Sequence, residues 1–101
     1  MVISKKIIVW SPEAKRQIKE AYKYISKDSP KNAIRVRSDI VTLTRMLSPN
    51  PEHYPVDKYK LNNDGTFRAF EKHSYRISYR ILDKEIRILK VRHTKMEPLP
   101  H

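Results

Sequence analysis

The chain has 101 residues, 39% hydrophobic and 33% charged, with no cysteine and a formal net charge of +11. That length makes one domain, residues 1–101, with a modest core. The missing cysteines exclude disulfides, thiolate nucleophiles and Cys-ligated zinc. No apolar run reaches the ~20 residues that span a bilayer, and MVISKKIIVW lacks both the length and the small-residue cleavage pattern of a signal peptide. A cytoplasmic protein without a membrane partner is expected.

Residues 3–10, ISKKIIVW, are rich in β-branched side chains and end in an aromatic, which predicts a short strand. SPEA then opens a helix, with Ser11 as N-cap, Pro12 at the first helical position and Glu13 at the positive end of the dipole. Ala14, Ile18, Ala21, Tyr22 and Ile25 form its apolar stripe, while Lys15, Arg16, Lys19, Lys23 and Lys27 take other faces. Trp10, just before the cap, is placed to staple the second turn. DSPKNA repeats the start signal with Ser29 and Pro30, and Ala33, Val36, Ile40, Leu43 and Leu47 step three and four residues apart. Two helices joined by about three residues run antiparallel and need a further layer to cover their apolar faces.

SPNPEHYP cannot continue a helix, and Asn62-Asn63-Asp64-Gly65 reads as a turn around the chain's only glycine. Three strand-like runs follow, 67–73, 75–82 and 85–93, the last two joined at Asp83-Lys84. The middle run alternates Tyr75, Ile77, Tyr79 and Ile81 with Arg76, Ser78 and Arg80. In the last run Ile88 and Leu89 are adjacent, which signals burial on both faces or a bulge. The segment from Met96 to His101, with two prolines, reads as a tail. The fold class expected is α+β, in the order β-α-α-β-β-β: a twisted antiparallel sheet with a helical hairpin packed on one face.

The positive charge is spread along the chain, with eleven Lys and Arg against four acids in residues 1–48 and eleven against seven in residues 49–101. An excess of this size points to an anionic partner, nucleic acid or acidic protein. Arg76, Arg80, Lys90 and Arg92, with Arg68 and Lys72 from the neighbouring strand and Lys95 beyond it, are expected to form a basic face opposite the helices. Guanidinium suits phosphate because two parallel N–H donors match two oxygens and the charge does not titrate away. His93, beside Arg92, is the one group there able to act as acid or base near neutral pH, which leaves open either an RNA-cleaving site or a structural strand-end histidine. His53, His73 and His93 lie on different elements without ligand spacing, so no metal is expected. One glycine excludes a phosphate-cradling loop, and no cofactor is implied.

WSPEAKRQIKEAYKYI, DSPKNAIRVRSDI, a proline-rich link and FRAFEKHSYRISYRILDKEIRILKVRH, in that order, resemble the RelE/ParE superfamily of bacterial toxins, which includes plasmid stabilisation proteins. The resemblance runs from Val9 to about Lys95 and implies the same fold. It also implies a toxin neutralised by direct binding of a cognate acidic antitoxin, forming a hetero-oligomer with it. ParE-like members inhibit DNA gyrase; RelE-like members cut messenger RNA on the ribosome without a metal. Arg76 matches the arginine of the nucleases' Y-R-x-x-Y strand, but the lysines expected on the preceding strand meet Phe67 and Ala69, and no terminal tyrosine follows His93. The resemblance therefore leans to the ParE-like branch. The RelE-like alternative would use Arg76, Arg92 and His93, and a non-toxic interaction module is a third possibility.

Overall fold

The computed structural model describes residues 5–96. Four strands and two helices follow in chain order: β1 (Ile7–Trp10), α1 (Pro12–Ser26), α2 (Pro30–Arg45), β2 (Phe67–Lys72), β3 (Tyr75–Ile81) and β4 (Glu85–His93). The start of the expected first strand at residues 3–4 and the tail at 97–101 lie outside the described residues. The sheet order is β1-β4-β3-β2. β2, β3 and β4 pair antiparallel as expected, whereas β1 adds beside β4 in parallel, so the sheet is mixed. The helices, the linker and the β2–β3 hairpin all lie between β1 and β4 in the chain, a connection long enough for a parallel pair.

Both helix starts form as their caps predict. Ser11 Oγ accepts from the Ala14 amide at 3.0 Å, and Ser29 Oγ accepts from the Asn32 amide at 3.1 Å. The Ser11 hydroxyl also donates to the Leu89 carbonyl at 3.0 Å, tying the helix start to β4. Ser11→Ala should therefore cost about 2 kcal/mol and Ser29→Ala about 1 kcal/mol, measured by urea unfolding of the two variants.

The adjacent apolar pair in β4 is a bulge. Tyr79 pairs with Ile88 and Ser78 with Lys90, leaving Leu89 as the extra residue. The bulge resets the alternation, so Ile86, Ile88 and Val91 are all buried while Lys90 and Arg92 share the outer face with Arg76 and Ser78. Beyond Trp10, β4 has no strand neighbour on that side. Its polar groups are met from α1 instead: the Val91 amide donates to Gln17 Oε1 at 2.7 Å, and Leu89 O accepts from Ser11.

The helical hairpin covers one face of the sheet. Ala14, Ala21, Val36, Ile40 and Leu47 meet Phe70, Tyr75, Ile77, Tyr79, Ile86, Ile88 and Val91 there. Trp10 and Ile18 pack at the margin, and Tyr24 is 67% exposed. The Asp83-Lys84 turn is closed by the Leu82 amide donating to the Glu85 carbonyl at 2.8 Å, with neither residue at positive φ, so no glycine is needed. Left-handed backbone occurs instead in the β2–β3 turn, where His73 and Ser74 have φ of 52° and 65°, and at Asn62 in the linker, with φ 52°. His73 Nε2 lies 2.6 Å from Asp39 Oδ2 and fastens that turn to α2. This hydrogen bond, ahead of the charges of His73, Lys72 and Arg35, holds the Asp39 carboxyl below its usual range.

The linker between α2 and β2 wraps around the edge of β2. Tyr54 stacks on Phe70 on the helix side at 4.7 Å, and Val56 bridges to Arg68 at the edge. Asp57 then turns onto the outer face, its amide donating to the Phe67 carbonyl at 2.8 Å. Asn63 closes the return, donating to the carbonyls of Asp57 and Phe67 and accepting from the amide of Gly65, whose φ is 95°. The Tyr79 hydroxyl donates to the Pro51 carbonyl at 2.8 Å, and burial pushes its pKa up to about 12. A phenol whose folded pKa is raised contributes stability in full below its unfolded value near pH 10, and loses it as pH climbs towards 12. Wild type should thus lose about 2–3 kcal/mol more than Tyr79→Phe between those limits, in alkaline unfolding followed by circular dichroism.

Candidate functional site

The cross-strand register decides which cations share a face. Arg76 pairs with Arg92 and Ser78 with Lys90, while Arg80 pairs with both Phe67 and Arg87. These residues lie on the outer face, away from the helices, as the alternation of β3 predicts. Arg68 and Lys72 do not join them. Their partners are Tyr79 and Tyr75, which are buried on the helix side, so both cations belong to that side. The two-residue turn at His73-Ser74 sets Lys72 opposite Tyr75 and thereby fixes the parity of all of β2. Arg68 is held under the linker, donating from Nη1 to the Tyr54 carbonyl at 2.7 Å and the Glu52 carbonyl at 3.3 Å. Lys95, beyond β4, is exposed at the rim of a separate cleft between α1 and β4.

The outer face carries a small cleft of about 150 Å³, lined by Tyr59, Arg76, Ser78, Lys90, Arg92 and Asp57 among others. Its cations are not equivalent. Arg76 Nη2 lies 2.8 Å from Asp57 Oδ1 and its Nη1 lies 3.3 Å from Glu71 Oε2, with the guanidinium 4.8 Å over the Tyr59 ring. The Asp57 side chain is 1% exposed and that of Arg76 17%. The expectation of a bare guanidinium face is therefore corrected at Arg76, which the linker's carboxylate neutralises. Arg80 is also engaged: its guanidinium lies 4.6 Å over Phe67, Nε donates to Thr66 Oγ1 at 3.3 Å, and Nη2 is 3.9 Å from Asp64 Oδ2. Lys90 and Arg92 meet no carboxylate among the described residues, the latter reaching only the Met96 sulfur at 3.9 Å.

His93 lines the margin of the same cleft, with its ring packed towards the helix side. In register it opposes Tyr75 on the helix side, with the two rings edge to face at 5.1 Å. Its Nδ1 accepts from the Lys95 amide at 3.0 Å. Among the described residues, no three His, Asp or Glu side chains converge as a metal site would need. No helix there is long and apolar enough to cross a membrane.

Asp57, Tyr59 and Glu71 escaped the sequence reading. The first two lie in the aperiodic linker, where nothing in the spacing says which face they reach. Glu71 was accessible, since counting back from the two-residue turn places it opposite Arg76.

A family described as ParE toxin of type II toxin–antitoxin systems, parDE, matches residues 8–98, and the chain belongs to that family. Among solved structures it is similar to the chromosomal ParDE system from P. aeruginosa, with TM-score 0.70 and 19% identity over 90% of this chain and 98% of that one. It is also similar to the RelBE2 toxin–antitoxin complex from Mycobacterium tuberculosis, with TM-score 0.62 and 20% identity over 88% of this chain and 98% of that one. The E. coli DinJ–YafQ toxin–antitoxin complex aligns with TM-score 0.57 and 15% identity, over 90% of this chain and 94% of that one. No individually curated protein matches. These structural likenesses establish the fold.

Proposed function

We propose that this toxin acts by binding DNA gyrase rather than by cutting RNA, and that a cognate acidic antitoxin neutralises it by direct contact. The observation that carries this reading is the engagement of His93. His93, the one imidazole lining the Arg76–Arg92 cleft among the described residues, packs on Tyr75 and accepts at Nδ1 from the Lys95 amide. RNA cleavage by general acid–base catalysis needs a group free to take a proton from the 2′-hydroxyl. The outer positions of β2, where the nuclease branch resembles itself in lysines, hold Phe67 and Ala69 opposite Arg80 and Ser78. Lys90 and Arg92 remain as charged contact groups for a large anionic or acidic surface.

The ribonuclease reading keeps one observation in its favour, that Arg76 and Arg92 are direct cross-strand neighbours lining one cleft. Induction in cells separates the two. Filamentation with a DNA-damage response is expected; rapid loss of translation with cleaved transcripts would instead indicate the nuclease, and normal growth would indicate neither.

An antitoxin partner is supported by the complexes among the structural neighbours and by the net charge of +11. Such a charge steers an acidic chain towards the surface. The association rate with the cognate antitoxin should fall about tenfold or more between low and high salt in stopped-flow measurements. A rate unchanged by salt would remove charge steering from the account of neutralisation.

A further inference from the structure

We infer that the carboxylate of Asp57 is a built-in occupant of a phosphate-binding seat on Arg76, and that the outer-face cleft takes a phosphate when this carboxylate is removed. The inference is independent of the cellular target, since it concerns which anion Arg76 holds. A guanidinium offers parallel N–H donors to any group presenting paired oxygens, and a carboxylate and a phosphate present the same face to it. Asp57 Oδ1 holds Nη2 at 2.8 Å and is the buried half of this occupancy, while the exposed Glu71 Oε2 reaches Nη1 at 3.3 Å and the Tyr59 ring lies 4.8 Å from the guanidinium.

The occupant is pre-organised. Asp57 Oδ1 also accepts from the Tyr59 amide at 3.0 Å, and the Asp57 backbone is held by Phe67 and Asn63. An intramolecular partner held this way competes at a high effective concentration against any free anion. The surroundings otherwise suit phosphate. Lys90 and Arg92 line the same cleft without carboxylate partners among the described residues, and Ser78 and Thr94 add hydroxyls. Its volume of about 150 Å³ is that of a few waters at ~30 Å³ each, enough for a phosphate group. Leaving His93 aside, the three cations Arg76, Lys90 and Arg92 against Asp57 and Glu71 give a net charge of +1, and Asp57→Asn raises it to +2. Asparagine retains an acceptor for the Tyr59 amide while withdrawing the competing charge.

The test is titration of pyrophosphate, and separately of a short single-stranded oligouridylate, into wild type and Asp57→Asn, followed by amide shifts of Ser78, Lys90 and Thr94. The variant should bind pyrophosphate at least about tenfold more tightly than wild type, and Asp57→Asn combined with Arg76→Gln should lose the gain. Equal affinities in wild type and variant, or a gain that survives the loss of Arg76, would overturn the inference. Saturation by oligouridylate would extend the seat to phosphodiesters, and its absence beside pyrophosphate binding would confine it to free phosphate groups. Should Asp57→Asn not fold, wild type alone decides: phenylglyoxal should modify Arg76 at least about tenfold more slowly than Arg92, and equal rates would contradict an occupied seat.

Discussion

Asp57→Ala should lower the stability of this chain by about 3–5 kcal/mol, a fall in Tm of roughly 15–30 °C for a domain of this size. The magnitude follows from burial on both sides of the pair. With the Asp57 side chain 1% exposed and Arg76 17% exposed, removing the carboxylate leaves a guanidinium in a poorly hydrated place. Its remaining carboxylate, Glu71, is 58% exposed and 3.3 Å away, so it compensates weakly. The alanine also abandons the Tyr59 amide and loosens the linker that holds Arg68 and covers the edge of β2. Replacing both partners together, Asp57→Leu with Arg76→Met, should fall within about 1 kcal/mol of wild type, because no uncompensated charge remains. Thermal and urea melts of the single and double variants give both numbers. A single variant within about 0.5 kcal/mol of wild type, the range of an ordinary surface change, would mean that the pair is not buried in solution.

Lys90→Glu with Arg92→Glu should abolish growth arrest on induction while changing stability by no more than about 0.5 kcal/mol. Neither side chain is tied to a carboxylate among the described residues, and both stand on the outer face. Reversing them puts two negative charges where, among the described residues, the face carries two cations without a carboxylate partner. Lys72→Glu is the control, since its register places it on the helix side with an exposed side chain. It should leave toxicity intact. Loss of toxicity in the control, with Lys90→Glu/Arg92→Glu still toxic, would put the contact surface on the other side of the sheet.

Much of the fold was legible because its signals are local. The two Ser-Pro starts, the apolar steps of the helices and the alternation of β3 each survive as read, and of the two readings left open at Ile88-Leu89 the register selects the bulge. The parallel placement of β1 was not legible, since strand direction beside β4 depends on where the helical hairpin delivers the chain. The candidate site was legible only in half. The alternation that buries Tyr75, Ile77 and Tyr79 puts Arg76 and Arg80 outside, and the bulge brings Lys90 and Arg92 beside them. Arg68 and Lys72 were misplaced because β2 lacks a clean alternation of its own, and its parity is set by the turn at His73-Ser74. The neutralisation of Arg76 was invisible, because it comes from a residue nineteen positions away in an aperiodic linker. Charge counts in sequence register cations but not the carboxylates that fold onto them.

Lys90 and Arg92 stand half-buried on the outer sheet face without a carboxylate partner among the described residues, and a purified system can ask whether that face is a binding surface. The decisive measurement adds the purified chain to DNA gyrase in a supercoiling assay, and in parallel to ribosomes carrying messenger RNA. Inhibition of supercoiling with intact transcripts, lost in Lys90→Glu/Arg92→Glu, is the expected result. Cleaved transcripts with gyrase unaffected, and cleavage abolished by Arg76→Ala or His93→Ala, would show instead that the cleft is catalytic.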